Sequence, residues 1–190
     1  IMNFTVPMTP EWSHCVTWNG PGCADILDTK LSADGEYISV ATTLSILLFE
    51  KGSSTPIWKY DTGVIYPSTD ISADGKYSVF AGCTDEEELM LFGNNNNTPI
   101  WKFDMNSSSC MDSVAITPDG DYIVAGGATD KVYLFDKDSS TPLWSYTTGD
   151  DVWSVDISAG GEYVTVGSED DKVYLFGKES STPLWSYDTD

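Results

Sequence analysis

Apolar positions along this chain come in runs of about five residues, set off by clusters of Gly, Asp, Ser, Asn and Pro. The last 40 residues show the pattern most clearly. VWSVDIS, GEYVTVGS, KVYLF and TPLWSY follow one another, rich in β-branched and aromatic residues and separated by turn-forming clusters. No stretch carries a helical apolar period of any length, so four short strands per unit are predicted.

The unit repeats. Thr-Pro-x-Trp stands at Thr55–Trp58, Thr98–Trp101, Thr141–Trp144 and Thr182–Trp185, with tryptophan spacings of 43, 43 and 41. A degraded copy, Thr9-Pro10-Glu11-Trp12, lies 46 residues before Trp58. Turn signals keep step at 32–37, 72–77, 117–122 and 158–163, as do the apolar runs at 45–49, 88–92, 131–135 and 172–176. Four short antiparallel strands every 41 to 46 residues describe a β-propeller blade. Labelled A to D outward from the axis, complete blades are expected at 24–62, 64–105, 110–148 and 152–189, in a single domain spanning 1–190. Residues 1–18 read as the C and D strands of an earlier half-blade. Its missing A and B strands make an excerpt of a longer propeller, or a ring completed by another chain, the expectation. The tryptophan has a packing reason: a large aromatic on the outer strand fills the gap to the next blade, burying roughly 150–250 Å². The proline before it belongs at the start of an outer strand, where a missing N–H is tolerated.

LWSYTTGDDVWSVDIS, followed by a turn and VGSEDDKVYLF, resembles the repeats of WD-repeat-like and pyrroloquinoline-quinone-like β-propellers. The resemblance extends from about residue 9 to the end and implies the scaffold alone, since these families place unrelated functions on it. A quinone carrying three carboxylates would meet a chain with no arginine and one histidine. No cofactor is therefore expected.

Thirty acidic residues against nine lysines give a net charge of −21. That charge repels phosphate backbones, and without arginine there is no bidentate fork for phosphate or guanine, so nucleic acid is excluded as a partner. No apolar run approaches the ~20 residues of a spanning helix, so membrane insertion is not expected. Cys15, Cys23, Cys83 and Cys110 form an even set without a metal-type C-x-x-C pair. Sequons begin at Asn3, Asn96 and Asn106. Together with the acidity, these features point to an oxidising, extracellular or cell-surface setting.

Strand assignment also assigns faces. The D–A and B–C loops emerge on one face, and the A–B and C–D turns on the other. Departures from the repeat gather on the first face: HCVTWNGPGC at 14–23, Ser107–Cys110, and CTDEEE at 83–88. All four cysteines fall there. The simplest pairing is Cys15–Cys23 with Cys83–Cys110, and two other pairings stay open. The same face carries Asp85, Glu86, Glu87, Glu88, Asp130, Asp150, Asp151, Glu169, Asp170 and Asp171. Carboxylates in turn-rich loops suit calcium, which takes six to eight oxygens, although no EF-hand spacing is present. His14 occupies the slot that holds Tyr60, Phe103, Tyr146 and Tyr187 in the other copies, so it reads as a structural ring. No G-x-S-x-G elbow, Walker loop or H-E-x-x-H pair occurs. The expectation is a non-catalytic propeller that binds a protein or glycan through its acidic face. The alternative is a structural subunit of a surface layer or filament, self-assembling with blades completed between chains.

Overall fold

The computed structural model describes residues 24–83, 89–105 and 109–189. The expected half-blade at 1–18, with Cys15, Cys23 and Asn3, lies outside them. So do Asp85, Glu86, Glu87, Glu88 and Asn106.

The described residues form sixteen strands and no helix. β1 (Ile26–Leu31), β2 (Tyr37–Thr42), β3 (Ser45–Glu50) and β4 (Trp58–Asp61) make the first sheet. β5 (Ser68–Ile71), β6 (Tyr77–Ala81), β7 (Leu89–Gly93) and β8 (Pro99–Phe103) make the second. β9 (Met111–Ile116), β10 (Tyr122–Gly127), β11 (Lys131–Asp136) and β12 (Trp144–Thr147) make the third. β13 (Val152–Ile157), β14 (Tyr163–Ser168), β15 (Lys172–Gly177) and β16 (Trp185–Asp188) make the fourth. Each is an antiparallel meander in sequence order, as a propeller blade requires.

Burial explains the strand sequences. A sheet stacked between two others buries both faces, so the third strands of the second and third sheets are continuous apolar runs: Leu89–Phe92 and Val132–Phe135 are all buried, as is Ile46–Phe49 of the first sheet. The first strands are only partly buried, and in β5, β9 and β13 the face turned to the preceding sheet holds Ile71, Ile116 and Ile157 in three successive core clusters. Those clusters lie between sheets rather than within them.

Three devices join neighbouring sheets. The D-strand tryptophan stacks on the third-strand phenylalanine of the next sheet, with ring centroids 5.0 Å apart for Trp58–Phe92, 5.5 Å for Trp101–Phe135 and 5.2 Å for Trp144–Phe176. Trp101 Nε1 donates to the Lys137 carbonyl and Trp144 Nε1 to that of Lys178, both at 2.7 Å. The tyrosines that open β2, β6 and β10 lie over the glycine of the next sheet's turn. A Cβ on Gly120 would come within 2.5 Å of the Tyr77 ring, and one on Gly161 within 2.6 Å of Tyr122. Those glycines also have φ of +79° and +72°, which disfavours any other residue.

The A–B turns are themselves built from side chains. Asp34 Oδ1 accepts from Ser32 Oγ at 2.6 Å and Glu36 N at 3.0 Å, and Asp119 repeats this with Thr117 and Asp121. These donors hold both carboxyls below the ordinary carboxylate range, the hydroxyl contributing most. In the fourth turn Gly160 replaces the aspartate, although Ser158 Oγ still accepts from Tyr163 N. Among the described residues, a Cβ at Gly160 would meet nothing nearer than Glu162 Cγ at 3.9 Å. Gly160→Asp is therefore expected to raise Tm by about 2–4 °C at pH 7, through the restored hydrogen bonds and a less flexible unfolded chain. A carboxyl with a lowered folded pKa stabilises above its unfolded value near 3.9, so the electrostatic part of the gain fades as pH falls below about 4. Thermal melts at pH 7 and pH 3 check this; an unchanged or lower Tm at pH 7 refutes it.

Candidate interaction face

The loops following the second and fourth strands of each sheet share one face, and backbone hydrogen bonds stitch them together. Thr62, Thr148 and Thr189, each just past a fourth strand, donate N–H to the carbonyls of Leu44, Asp130 and Asp171 in the B–C turn of their own sheet. The same D–A loops also reach the following sheet: Cys83 N donates to Ile65 O, Ala128 N to Cys110 O, and Glu169 N to Asp151 O, at 2.8–2.9 Å. A disulfide between Cys83 and Cys110, 27 residues apart, ties the second B–C loop to the next D–A loop. On a chain-entropy account a loop of that length contributes roughly 3–4 kcal/mol.

The acidic residues divide into two roles. Asp130, Asp150 and Asp151 come together, with carboxylate oxygens all within 4.8 Å of one another. Asp130 sits at the tip of its turn with φ of +57°, a conformation aspartate tolerates, and so aims at the loop of Thr148. Thr148 Oγ1 closes that loop by donating to the Asp130 and Asp150 carbonyls. Burial, then the charges of Asp130 and Asp150, push the Asp151 carboxyl up. Asp112 stands at the start of β9, half-buried; burial and then Asp151 raise it as well.

Asp170 is a clamp. Its carboxylate accepts from Gly149 N at 2.8 Å, from Lys172 N at 3.2 Å and from the Tyr174 hydroxyl. Burial works to raise its pKa, but the Tyr174 and Gly149 donors outweigh it and the net direction is down. Burial and the same contact push the Tyr174 hydroxyl up. Glu169 and Asp171 are exposed and enter the framework through their backbone. Asn96 lies on the opposite face in the β7–β8 turn, exposed, with Oδ1 accepting from Thr98 N at 2.8 Å.

Among the described residues, a hard cation would find its carboxylates at Asp130, Asp150 and Asp151, since Asp170 is already spent on the clamp. Asp112 went unread in the sequence because it falls one residue inside a strand. Its only signal is its place next to the Ser107–Cys110 insertion.

A raised carboxyl pKa means that ionisation opposes folding, a penalty fully present above the folded value and absent below the unfolded one. Asp151→Asn is expected to raise Tm at pH 7, with the gain shrinking towards zero near pH 3. A variant equally or less stable than the parent at pH 7 would contradict the repulsion.

Residues 97–136 and 140–176 match the family described as WD domain, G-beta repeat. Each match begins at or just before the fourth strand of one sheet and runs through the first three strands of the next, so the sequence unit straddles two blades. The match holds although no Trp-Asp dipeptide occurs; Ser145 and Ser186 follow the tryptophans of the last two sheets. No curated protein matches the chain. Over 97–136 and 140–176, less than half of its length, the chain is thus similar to the WD domain, G-beta repeat, and its four described sheets share one propeller-like blade topology.

Proposed function

We propose that the chain is a non-catalytic scaffold, extracellular or at a cell surface, that binds a basic protein through its disulfide-braced loop face. WD repeats suggest a protein-interaction scaffold. The observation that carries the choice of face is the cluster of Asp112, Asp130, Asp150 and Asp151. These carboxylates are held close enough to raise Asp112 and Asp151 by burial and by one another, on loops that backbone bonds and a disulfide keep in place. A lysine-rich surface relieves that repulsion on contact, and preorganised loops lose little entropy in meeting it. The extracellular setting is supported by the Cys83–Cys110 bond and by the exposed sequon at Asn96. Among the described residues no helix is long and apolar enough to cross a membrane.

A net charge of −21 attracts any cation, so the test must separate one face from the whole. The probe is a lysine-rich peptide titrated at 150 mM salt, where general attraction is screened within about 8 Å. Asp112→Asn with Asp150→Asn and Asp151→Asn is expected to weaken binding about tenfold, close to 1.4 kcal/mol. Neutralising Asp136, Asp138 and Glu179, on the other face, is expected to change it less than about twofold. Equal losses from the two triple variants, or preferential binding of a neutral glycan panel, would overturn the assignment.

A further inference from the structure

A second group of chemistry-bearing side chains gathers on the loop face: Cys83, Cys110 and Asp112. Their two sulfurs and a carboxylate oxygen all lie within 4.8 Å of one another, and the three residues are half-buried. Cys83 and Cys110 are 27 residues apart, so only the meeting of the second and third sheets assembles the set. Asp112 joins it from the start of β9, two residues beyond Cys110.

More than the disulfide holds the two cysteines together. Met111 N, next to Cys110, donates to the carbonyl of Gly82, next to Cys83, at 3.0 Å. Cys83 N donates to Ile65 O at 2.9 Å and Ala128 N to Cys110 O at 2.8 Å. Packing fixes the same stretch of backbone. A Cβ on Gly82 would come within 2.6 Å of the buried Tyr66 ring, and one on Gly127 would collide with the Cys110 carbonyl. None of these contacts involves a sulfur, so opening the disulfide leaves two thiols side by side next to a carboxylate. Two thiolates and a carboxylate are zinc ligands, and the sulfurs favour that ion over calcium. A tetrahedral zinc, with Zn–S about 2.3 Å and Zn–O about 2.0–2.2 Å, sets its ligand atoms roughly 3.5–3.8 Å apart. Turning the cysteine side chains about Cα–Cβ opens the sulfurs to that spacing.

We propose that Cys83, Cys110 and Asp112 form a redox-gated zinc site. Oxidised, the cysteines staple two loops covalently; reduced, they and Asp112 hold zinc in place of the bond, with water in the fourth position. The exchange takes a dithiol as reductant. One of its thiolates attacks a cysteine sulfur, the S–S bond breaks, and the other cysteine leaves as a thiolate that takes up a proton. The second thiolate of the reagent then displaces the cysteine held in the mixed disulfide, and the dithiol departs as a cyclic disulfide. Zinc replaces the two cysteine protons, which pass to solvent. Its two charges cancel those of the thiolates, so the loops keep the charge they carry in the oxidised state. This goes beyond the scaffold reading, since zinc uptake is read without any peptide partner.

The test compares zinc uptake by the whole chain after dithiol reduction with uptake by the oxidised chain. Calcium is kept in excess to occupy sites made of carboxylates alone. Competition with a chromophoric chelator reads affinity, and cobalt in place of zinc reads thiolate ligation by its charge-transfer absorption. The reduced chain is expected to keep its near-ultraviolet circular dichroism and to bind zinc that the oxidised chain does not. Cys83→Ser with Cys110→Ser is expected to lose that zinc. Asp112→Asn, which keeps both thiols, is expected to weaken it about tenfold or more, while Asp150→Asn leaves it unchanged. Collapse of the dichroism on reduction, or equal zinc uptake by both redox forms, would overturn the proposal. So would undiminished uptake by the double cysteine variant, which would assign the metal to Cys15 and Cys23, or an Asp112→Asn affinity equal to the parent's.

Discussion

Neighbouring sheets are held together by an aromatic stack that in two of the three described junctions also carries a hydrogen bond. The indole of the fourth strand lies on a phenylalanine of the following sheet, and in two junctions its N–H reaches a carbonyl in that sheet's C–D turn. A large flat ring fills the wedge between two twisted sheets, and the turn carbonyl satisfies the one polar atom the ring brings with it. The junction of Trp58 shows the consequence of losing half of this device. Its ring stacks on Phe92, but Nε1 is buried with no acceptor among the described residues, a defect worth about 1–3 kcal/mol. Asn97 instead reaches back to the Lys59 carbonyl across the same junction.

From that constraint the division of faces follows. The side bearing the indoles and the Asp-Gly turns must hold register, because tyrosine rings, glycines and carbonyls meet there with little tolerance. The other side is free of the tryptophan contacts and is organised by threonines, a disulfide and a clamping aspartate. Insertions and extra charge accumulate where they do not disturb the stacking. That is why a repeat with nearly constant spacing can carry loops that differ from blade to blade.

Much of this is legible in the sequence. Tryptophan spacing and turn glycines identify the four-stranded unit, and register against the repeat identifies the face on which irregular loops gather. What the sequence does not reveal is how neighbouring acids divide their work. Asp150 and Asp170 look alike as members of acidic pairs. One joins a repelling trio; the other is consumed by Gly149, Lys172 and Tyr174, contacts that no local pattern shows. The exposure of the fourth sheet's outer strand is likewise invisible to a repeat pattern, since Trp185 and Tyr187 read just like their half-buried counterparts Trp144 and Tyr146.

The indole of the fourth strand joins sheets only where a following blade receives it. Hydrogen exchange of the indole N–H groups, followed by NMR with tryptophan labelled at Nε1 and at low micromolar concentration, addresses this most directly. Trp101 and Trp144 are predicted to exchange about a hundredfold or more slowly relative to Trp185. Protection of Trp185 equal to theirs, or rapid exchange at all three, would contradict it.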